Sequence, residues 1–201
     1  MKTKLPTLTK IKLETNFLKQ MCYVFLLFSG IAFGQIVNIP DANFKAKLLS
    51  ASPSNSVASG TSGSYIKIDN NNDGEIQQSE ALLVNGLDVS SSNISNITGI
   101  QSFTNLNNLN CSENGLYNNG IDLSLLINLL ELDSSSCNLF NLDLSSLNGL
   151  TKINSSNNNL TSLNLNNLSN LTYLNLSANN LTSLNLNNLI NLNYLNLSAN
   201  N

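Results

Sequence analysis

Apolar residues recur in the second half of the chain with a period of 21 to 23 residues. In the block that starts at Leu171, apolar side chains stand at the first, fourth, sixth and eleventh positions, and Asn179 stands at the ninth. A generic globular core does not need such regularity, and the pattern predicts a solenoid in which each block contributes one coil. The blocks begin at Val84, Leu106, Leu129, Leu150, Leu171 and Leu192.

Each coil is expected to lay one short strand beside the strand of the previous coil, about 4.8 Å away. The leucines of the strand point inward, and the Asn of the ninth position turns inward as well, where its amide bonds backbone groups at the bend. The rest of a block is too short for a long helix, so its return path is expected to be extended or 3₁₀. The inward Asn residues are Asn114, Asn158, Asn179 and Asn200.

Two cysteines occupy inward slots of the repeat. Cys137 stands where other blocks have Asn, and Cys111 stands where they have Leu. A disulfide or a metal pair is one interpretation, but the two slots differ within the coil, which makes the geometry of a bridge unfavourable. We therefore favour two small buried residues.

The segment before the repeats has a different pattern. Pro40 and Asp41 suit the start of a short helix over residues 39–49. Residues 51–64 are rich in Ser, Gly and Ala and predict a loop. Residues 65–68 are expected to be extended.

Residues 69–80 match the calcium-loop pattern D-x-[DN]-x-[DN]-G-x₅-E at every defined place. Alternate side chains of such a loop point inward, Gly74 permits the sharp turn, and Glu80 closes the shell from the start of a helix over residues 76–83. The alternative is a polar turn rich in Asn and Asp. The predicted ligands are Asp69, Asn71, Asp73, Glu75 through its backbone carbonyl, Gln77 through a water molecule, and Glu80.

The surroundings of this loop predict a structural site. The segment before it does not resemble an entering helix, and no second loop pairs with it. We therefore expect an EF-hand-like clip instead of a switch that exposes a groove. In an exported protein such a site binds calcium weakly, with a dissociation constant on the order of 10⁻⁴–10⁻³ M.

The chain starts with a lysine-rich stretch and continues with an apolar run over residues 21–34. This run is shorter than the roughly 20 residues of a membrane span, and Ala32 and Gly34 stand where small residues precede a signal-peptidase site. We predict an export signal that is cut before Gln35; a transmembrane anchor is the alternative. The predicted divisions are a signal peptide (1–34), a cap with the calcium loop (35–83), and about six repeats of which the last is incomplete (84–201).

The repeats resemble the leucine-rich-repeat family over residues 84–201. The order of export signal, short helix, acidic loop and Asn-rich repeats is similar to that of secreted, internalin-like proteins of Bacteroidota-type bacteria, which often end in a sorting domain for type IX secretion. The resemblance implies an α/β-type repeat solenoid with parallel β-strands on its concave face, an extended or 3₁₀ convex side, and a short helical N-terminal cap. It also implies a secreted or cell-surface protein.

Strand residues that alternate with the inward leucines are expected to line the concave face. Tyr173 and Tyr194 stand one repeat apart, and tyrosine offers a large contact area at low entropic cost. The alternative is a solvated face without a ligand, because tyrosine is also favoured in strands. The candidate binding residues are Glu131, Lys152, Tyr173, Tyr194, Asn154, Asn175 and Asn196.

Composition narrows the possible functions. The 201 residues include 40 Asn and 39 Leu, and only 10% of them are charged, compared with about 25% in ordinary domains. The absence of His and Arg removes the common imidazole base, the common zinc ligand and the bidentate phosphate binder. After residue 34, four lysines stand against eleven acidic residues, a net charge of −7, which argues against a nucleic-acid partner.

These features predict an exported or cell-surface binding module for a protein or a carbohydrate, with adhesion as its role, calcium as its cofactor and no membrane span in the mature chain. We do not expect an enzyme, since the strand acids Asp88 and Asp133 stand two coils apart without an imidazole; a carboxylate-dependent glycosidase is the least favoured alternative. A structural spacer of a larger, type IX-secreted protein is the other alternative. The last block stops inside its coil, so we expect a truncated product or a fragment of a longer protein.

Overall fold

The leucine period appears as a row of short strands in the computed structural model, which describes residues 34–117 and 121–201. Both the predicted signal peptide and the alternative transmembrane anchor lie outside the described residues, apart from Gly34. The strands are β1 (Ala58–Ser59), β2 (Gly86–Asp88), β3 (Asn108–Asn110), β4 (Glu131–Asp133), β5 (Lys152–Asn154), β6 (Tyr173–Asn175) and β7 (Tyr194–Asn196).

Strands β2 to β7 form a parallel sheet in chain order, each pair in register. The register brings the middle residues of the strands, one per coil, into a single inward row, and those of β2 to β6 are 0–3% exposed. Burial of each such side chain contributes roughly 1.5–3 kcal/mol, and stacking makes the core continuous across coils. The predicted leucine-rich-repeat solenoid is confirmed.

The inward asparagines bond consecutive coils to each other. Asn158 Oδ1 accepts the backbone N–H groups of Cys137 at 3.0 Å and Leu139 at 2.9 Å. Its Nδ2 donates to the carbonyl of Ser134 in the preceding coil at 2.9 Å and to that of Ser155 in its own coil at 3.1 Å. Asn114 makes the equivalent bonds, and Asn179 and Asn200 make the same donor bonds and accept one backbone N–H each, from Leu160 and Leu181. The prediction for these residues is confirmed.

Cysteine takes over part of this role in the third coil. Cys137 Sγ donates to the carbonyl of Cys111 in the preceding coil at 3.1 Å. The backbone N–H of Leu116, which lacks an Asn oxygen to bond, donates to the carbonyl of Cys137 at 3.1 Å. Both cysteines are buried free thiols, and the hydrogen bond with Cys137, together with burial, raises the pKa of Cys111. The favoured interpretation of two small buried residues holds.

In each coil, the residue just before the inward Asn or its substitute lies in the left-handed region. The φ angles there lie between +48° and +56°. None of these residues is glycine, so the turn is held against an intrinsic cost by the hydrogen bonds that follow it. The residues are Ser91, Glu113, Ser136, Asn157, Ala178 and Ala199.

The N-terminal cap begins with the helix α1 (Ala42–Leu49). The helix starts later than the predicted residue 39 because Asp41 is extended and caps it, accepting the N–H of Phe44 at 2.9 Å. The second carboxylate oxygen accepts the N–H and the hydroxyl of Ser95 in the first coil, at 2.9 and 2.7 Å. Burial alone would raise the pKa of Asp41, but these hydrogen bonds outweigh burial and lower it.

The loop prediction for residues 51–64 is wrong at Ala58–Ser59, which pairs antiparallel with β2 as strand β1. This strand covers the edge of β2, which would otherwise present unpaired backbone groups. The contact is close: a Cβ at Gly86 would lie 2.5 Å from Ser59 Oγ, so a larger residue there would force the Ser59 hydroxyl to move. Residues 65–68 form no strand and contribute only an isolated bridge from Tyr65 to Ser59.

The second helix, α2 (Gln78–Ala81), is shorter than the predicted 76–83, because Gln77 is its N-cap and Leu82 its C-cap. On the convex side, the described residues form turns and one 3₁₀ segment, Ile100–Ser102, as predicted. Within the described ranges, neither helix is long and apolar enough to cross a membrane. Gln35–Asn201 forms one compact unit.

Candidate functional site

The loop over residues 69–80 folds around Asp69, which is 7% exposed. Asp69 accepts the backbone N–H groups of Asp73 and Gly74 through its two oxygens, each at 3.2 Å. Gly74 has a φ of +79°, which side chains rarely tolerate, so glycine allows the turn. The loop thus has the tight turn that its sequence pattern predicts.

Asp73 joins the polar side chains of the loop into one network. Its Oδ2 accepts the side-chain amides of Asn71 and Gln77, both at 2.8 Å. Its Oδ1 accepts the backbone N–H of Glu75 at 2.9 Å. The bond from Glu75 is the main reason why the pKa of Asp73 lies below its ordinary value.

Glu80 closes the loop from α2. Its Oε1 accepts the N–H of Asn70 at 2.8 Å and its Oε2 that of Gln77 at 3.0 Å. The residue is 6% exposed, and among the described residues no lysine forms an ion pair with Glu80 or Asp69. Buried carboxylates without a cationic partner are costly unless other groups offset their charge.

The side chain of Glu75 points away from this network. It forms an ion pair with Lys45 of α1, with Nζ and Oε2 2.7 Å apart, which leaves only its backbone carbonyl for the loop. Within residues 34–117 and 121–201, no three acidic, cysteine or histidine side chains form a metal-binding cluster on their own. The ligand set predicted for the loop consists entirely of oxygen atoms, which is the chemistry that calcium prefers.

The first residues of β4 to β7 form an outward row across the concave face: Glu131, Lys152, Tyr173 and Tyr194. Lys152 Nζ lies 2.7 Å from Glu131 Oε1, and both side chains are about half exposed. The rings of Tyr173 and Tyr194 are stacked, with centroids 4.3 Å apart and planes 4° apart. Burial, followed by the proximity of Tyr194, raises the pKa of Tyr173.

The last residues of the strands form a second outward row: Asp88, Asn110, Asp133, Asn154, Asn175 and Asn196. The Oδ1 atom of each accepts the hydroxyl of a serine two residues later, at 2.6–2.8 Å. The candidate binding residues Asn154, Asn175 and Asn196 therefore also fix the strand exit. Sequence reasoning missed this bond, although the recurrence of serine two residues after each Asp or Asn is its signal.

A groove of about 610 Å³ occupies the concave face from β1 to β6. Ser56 and Ser59 line one end of the groove and Tyr173 lines the other, so β1, which the sequence did not predict, contributes to it. The charged side chains that line it are Asp88, Glu131, Asp133 and Lys152. Of the candidate binding residues, Glu131, Lys152, Asn154 and Tyr173 meet in this groove, whereas Tyr194, Asn175 and Asn196 do not line it.

No family model matches the sequence, and no curated protein matches it significantly. Among solved structures, the chain is similar to an internalin (inlF) from Listeria monocytogenes, with 26% identity, a TM-score of 0.65, and 84% of this chain and 46% of that one covered. The functional domain of InlJ from Listeria monocytogenes, which includes a cysteine ladder, matches at 23% identity and a TM-score of 0.42, over 83% of this chain and 48% of that one.

A third structure, an internalin C2 (inlC2) from Listeria monocytogenes, matches at 20% identity and a TM-score of 0.49, over 85% of this chain and 90% of that one. The chain thus spans about half the length of the inlF and InlJ structures. The similarity to inlF supports an internalin-like leucine-rich-repeat protein.

Proposed function

We propose that this chain is an exported, internalin-like leucine-rich-repeat module whose concave face binds a protein at a cell surface, in an adhesive or related role. The observation that carries the proposal is the open groove on the parallel sheet, lined by outward side chains that differ from coil to coil. The similarity to inlF supports it at the level of the fold. Concave clefts with a few polar groups are the usual place for recognition.

The glycosidase alternative finds little support in the groove. Asp88 and Asp133 lie in one row on the same side of it, about 10 Å apart by strand spacing, and both are tied to serine hydroxyls. A glycosidase needs its two carboxylates to flank the scissile bond. A non-binding spacer of a larger, type IX-secreted protein remains the competing role.

The test is to probe arrays of proteins and glycans with the biotinylated full chain. We expect protein spots that disappear in the Tyr173→Ala, Tyr194→Ala double variant. Tyr117→Ala is the matched control, because Tyr117 is an exposed tyrosine outside the strands. Arrays without any signal would favour the non-binding spacer. Signals on glycans alone would show that the partner is a carbohydrate and not a protein.

A structural calcium site in the loop over residues 69–80 is the second part of the proposal. Asp69 and Glu80 are buried carboxylates held by backbone N–H groups, and Asp73 accepts two side-chain amides between them. A cation bound among these oxygens would offset their charge better than the amide dipoles do. Asp69, Asn71, Asp73, the Glu75 carbonyl, Gln77 through water, and Glu80 would hold it.

Calcium at about 10 mM exceeds the expected dissociation constant ten- to a hundredfold and stabilises the folded state by about 1.4–2.7 kcal/mol. Calorimetry should therefore show Tm rising by about 3–11 °C. Glu80→Gln should abolish the rise, and Glu75→Gln should keep it, because the Glu75 side chain bonds Lys45 and not the loop. If calcium changes Tm equally in the two variants, or does not change Tm in the wild type, the loop is a polar turn without a calcium site.

Export follows from the leader and is the third part of the proposal. The lysine-rich start, the apolar run and the small residues at Ala32 and Gly34 support a cleaved signal, and the order of segments supports an origin of Bacteroidota type. Expression in such a host, followed by fractionation and N-terminal sequencing, should give a surface or secreted product that begins at Gln35. Retention of residues 1–34 in the inner membrane would favour the anchor instead.

A further inference from the structure

We propose that the groove on the concave face binds a cationic segment of a polypeptide, with lysine or arginine side chains contacting Asp88 and Asp133. This inference rests on the proposed binding function and adds the chemistry of the partner. It concerns the groove from β1 to β6, which ends at the stacked tyrosines, and it follows from charge, from the fixed position of the acceptors and from the orientation of the tyrosine rings.

The groove has an excess of negative charge. Glu131 and Lys152 neutralise each other across a 2.7 Å ion pair. Asp88 and Asp133 have no ion-pair partner within the described part of the chain, so the groove carries a net charge of about −2. A concave surface of one sign concentrates its field and attracts the opposite charge. A basic segment therefore complements this groove, and an acidic one is repelled.

The two carboxylates are held in place before any partner arrives. Asp88 Oδ1 accepts the N–H and the hydroxyl of Ser90 at 3.0 and 2.6 Å, and Asp133 Oδ1 accepts those of Ser135 at 2.9 and 2.6 Å. Asp133 Oδ2 also accepts the side-chain amide of Asn154 at 2.9 Å. A carboxylate has about four acceptor positions, so Asp88 retains its whole Oδ2 atom, and Asp133 one further position, for an ammonium or guanidinium donor. Fixed acceptors reduce the ordering cost of binding.

The stacked tyrosines favour a polypeptide over a sugar. Tyr173 and Tyr194 belong to neighbouring strands, and their planes are nearly parallel at a centroid distance of 4.3 Å. The ring faces are therefore directed along the row of strands, and they cover each other. A ligand above the sheet meets ring edges and hydroxyl groups, which suit peptide hydrogen bonds, whereas a pyranose stacks on a ring face.

The repeats themselves provide variants that should fold. Asp88→Asn with Asp133→Asn installs the residue found at the equivalent positions of the other coils, Asn110 and Asn154, which make the same bonds to serine. The matched control is Asp122→Asn with Asp143→Asn. These two acids lie outside the groove, accept the backbone N–H groups of Ser124 and Ser145, and also have Asn at the equivalent positions of later coils.

The experiment measures fluorescence anisotropy of labelled octalysine and octaglutamate peptides with the full chain and both double variants. We expect octalysine to bind, octaglutamate not to bind, and the Asp88/Asp133 variant to lose affinity at least tenfold. The Asp122/Asp143 control has the same net charge and should stay within about twofold. Equal weakening of both variants would show a mere net-charge effect and overturn the proposal, as would the absence of octalysine binding.

Failure here is distinguishable from failure of the proposed function. A protein spot that is lost in the Tyr173/Tyr194 variant but retained in the Asp88/Asp133 variant would keep the binding role and remove the cationic partner. Blank arrays combined with groove-specific octalysine binding would support the chemistry of the groove without an identified partner.

Discussion

Replacement of Asn158 by alanine tests how the coils are held together. The residue is 7% exposed, and its Oδ1 is the acceptor for the buried N–H groups of Cys137 and Leu139. A buried donor left without a partner costs about 1–3 kcal/mol. The carbonyls that Asn158 Nδ2 bonds suffer less, because a carbonyl has two lone pairs. Two orphaned donors therefore predict a loss of about 3–4 kcal/mol in the free energy of unfolding.

The assay is urea unfolding followed by circular dichroism, together with hydrogen exchange at the amides of Cys137 and Leu139. The control is Asn167→Ala, an exposed asparagine of the same coil, which should change stability by less than about 0.5 kcal/mol. Asn158→Cys should cost less than Asn158→Ala, because Cys137 already occupies this slot in the preceding coil. A loss below about 1 kcal/mol in Asn158→Ala, with unchanged amide protection, would refute the account of these asparagines.

Three further predictions concern the cap and the turns. The pKa of Asp41 is lower in the folded state than its ordinary value of 3.8. The contribution of the ionised carboxylate to stability is therefore complete above pH 3.8 and is lost as pH falls through the folded pKa. Tm measured from about pH 5 to pH 2 should fall more steeply in the wild type than in Asp41→Asn. Gly86→Ala should cost about 1–3 kcal/mol through its clash with Ser59 Oγ, and adding Ser59→Ala should recover most of the loss in a double-mutant cycle. Ala178→Gly should raise the free energy of unfolding by about 0.5–1 kcal/mol, because φ there is +54°, whereas Ala46→Gly in the exposed middle of α1 should lower it by about 1 kcal/mol.

The leucine period was sufficient to place β2 to β7, because a fixed spacing puts equal positions of successive coils side by side. It could not reveal β1, whose two residues have no alternating pattern and whose pairing partners lie 27 and 29 residues further along the chain. Both helices are shorter than the sequence predicted, because Asp41 and Gln77 act as N-caps. The position of a cap depends on its backbone conformation and its hydrogen bonds, which the apolar pattern does not show.

In the candidate sites, too, the features that depend on local sequence were predictable and those that depend on packing were not. The twelve-residue spacing correctly indicated the tight turn at Gly74, since that turn depends on local sequence. The pattern also placed Tyr173 beside Tyr194, but it could not give the orientation of their rings. Likewise, Asp88 and Asp133 were expected on one face, but their bonds to serine and their common groove depend on the packing of five coils and on β1.

Comparison of the coils with one another shows where their outward residues differ. The fifth and sixth coils have almost the same sequence, so their outward residues, including the stacked Tyr173 and Tyr194, repeat from one coil to the next. The outward face carries Asp88 in the first coil, Glu131 and Asp133 in the third, and Lys152 in the fourth. Inward positions are constrained by the shared core, whereas outward positions change without cost to it. The charged outward residues of the strands therefore lie in the first, third and fourth coils, where they line the groove, and the strands of the fifth and sixth coils continue the same face without charge.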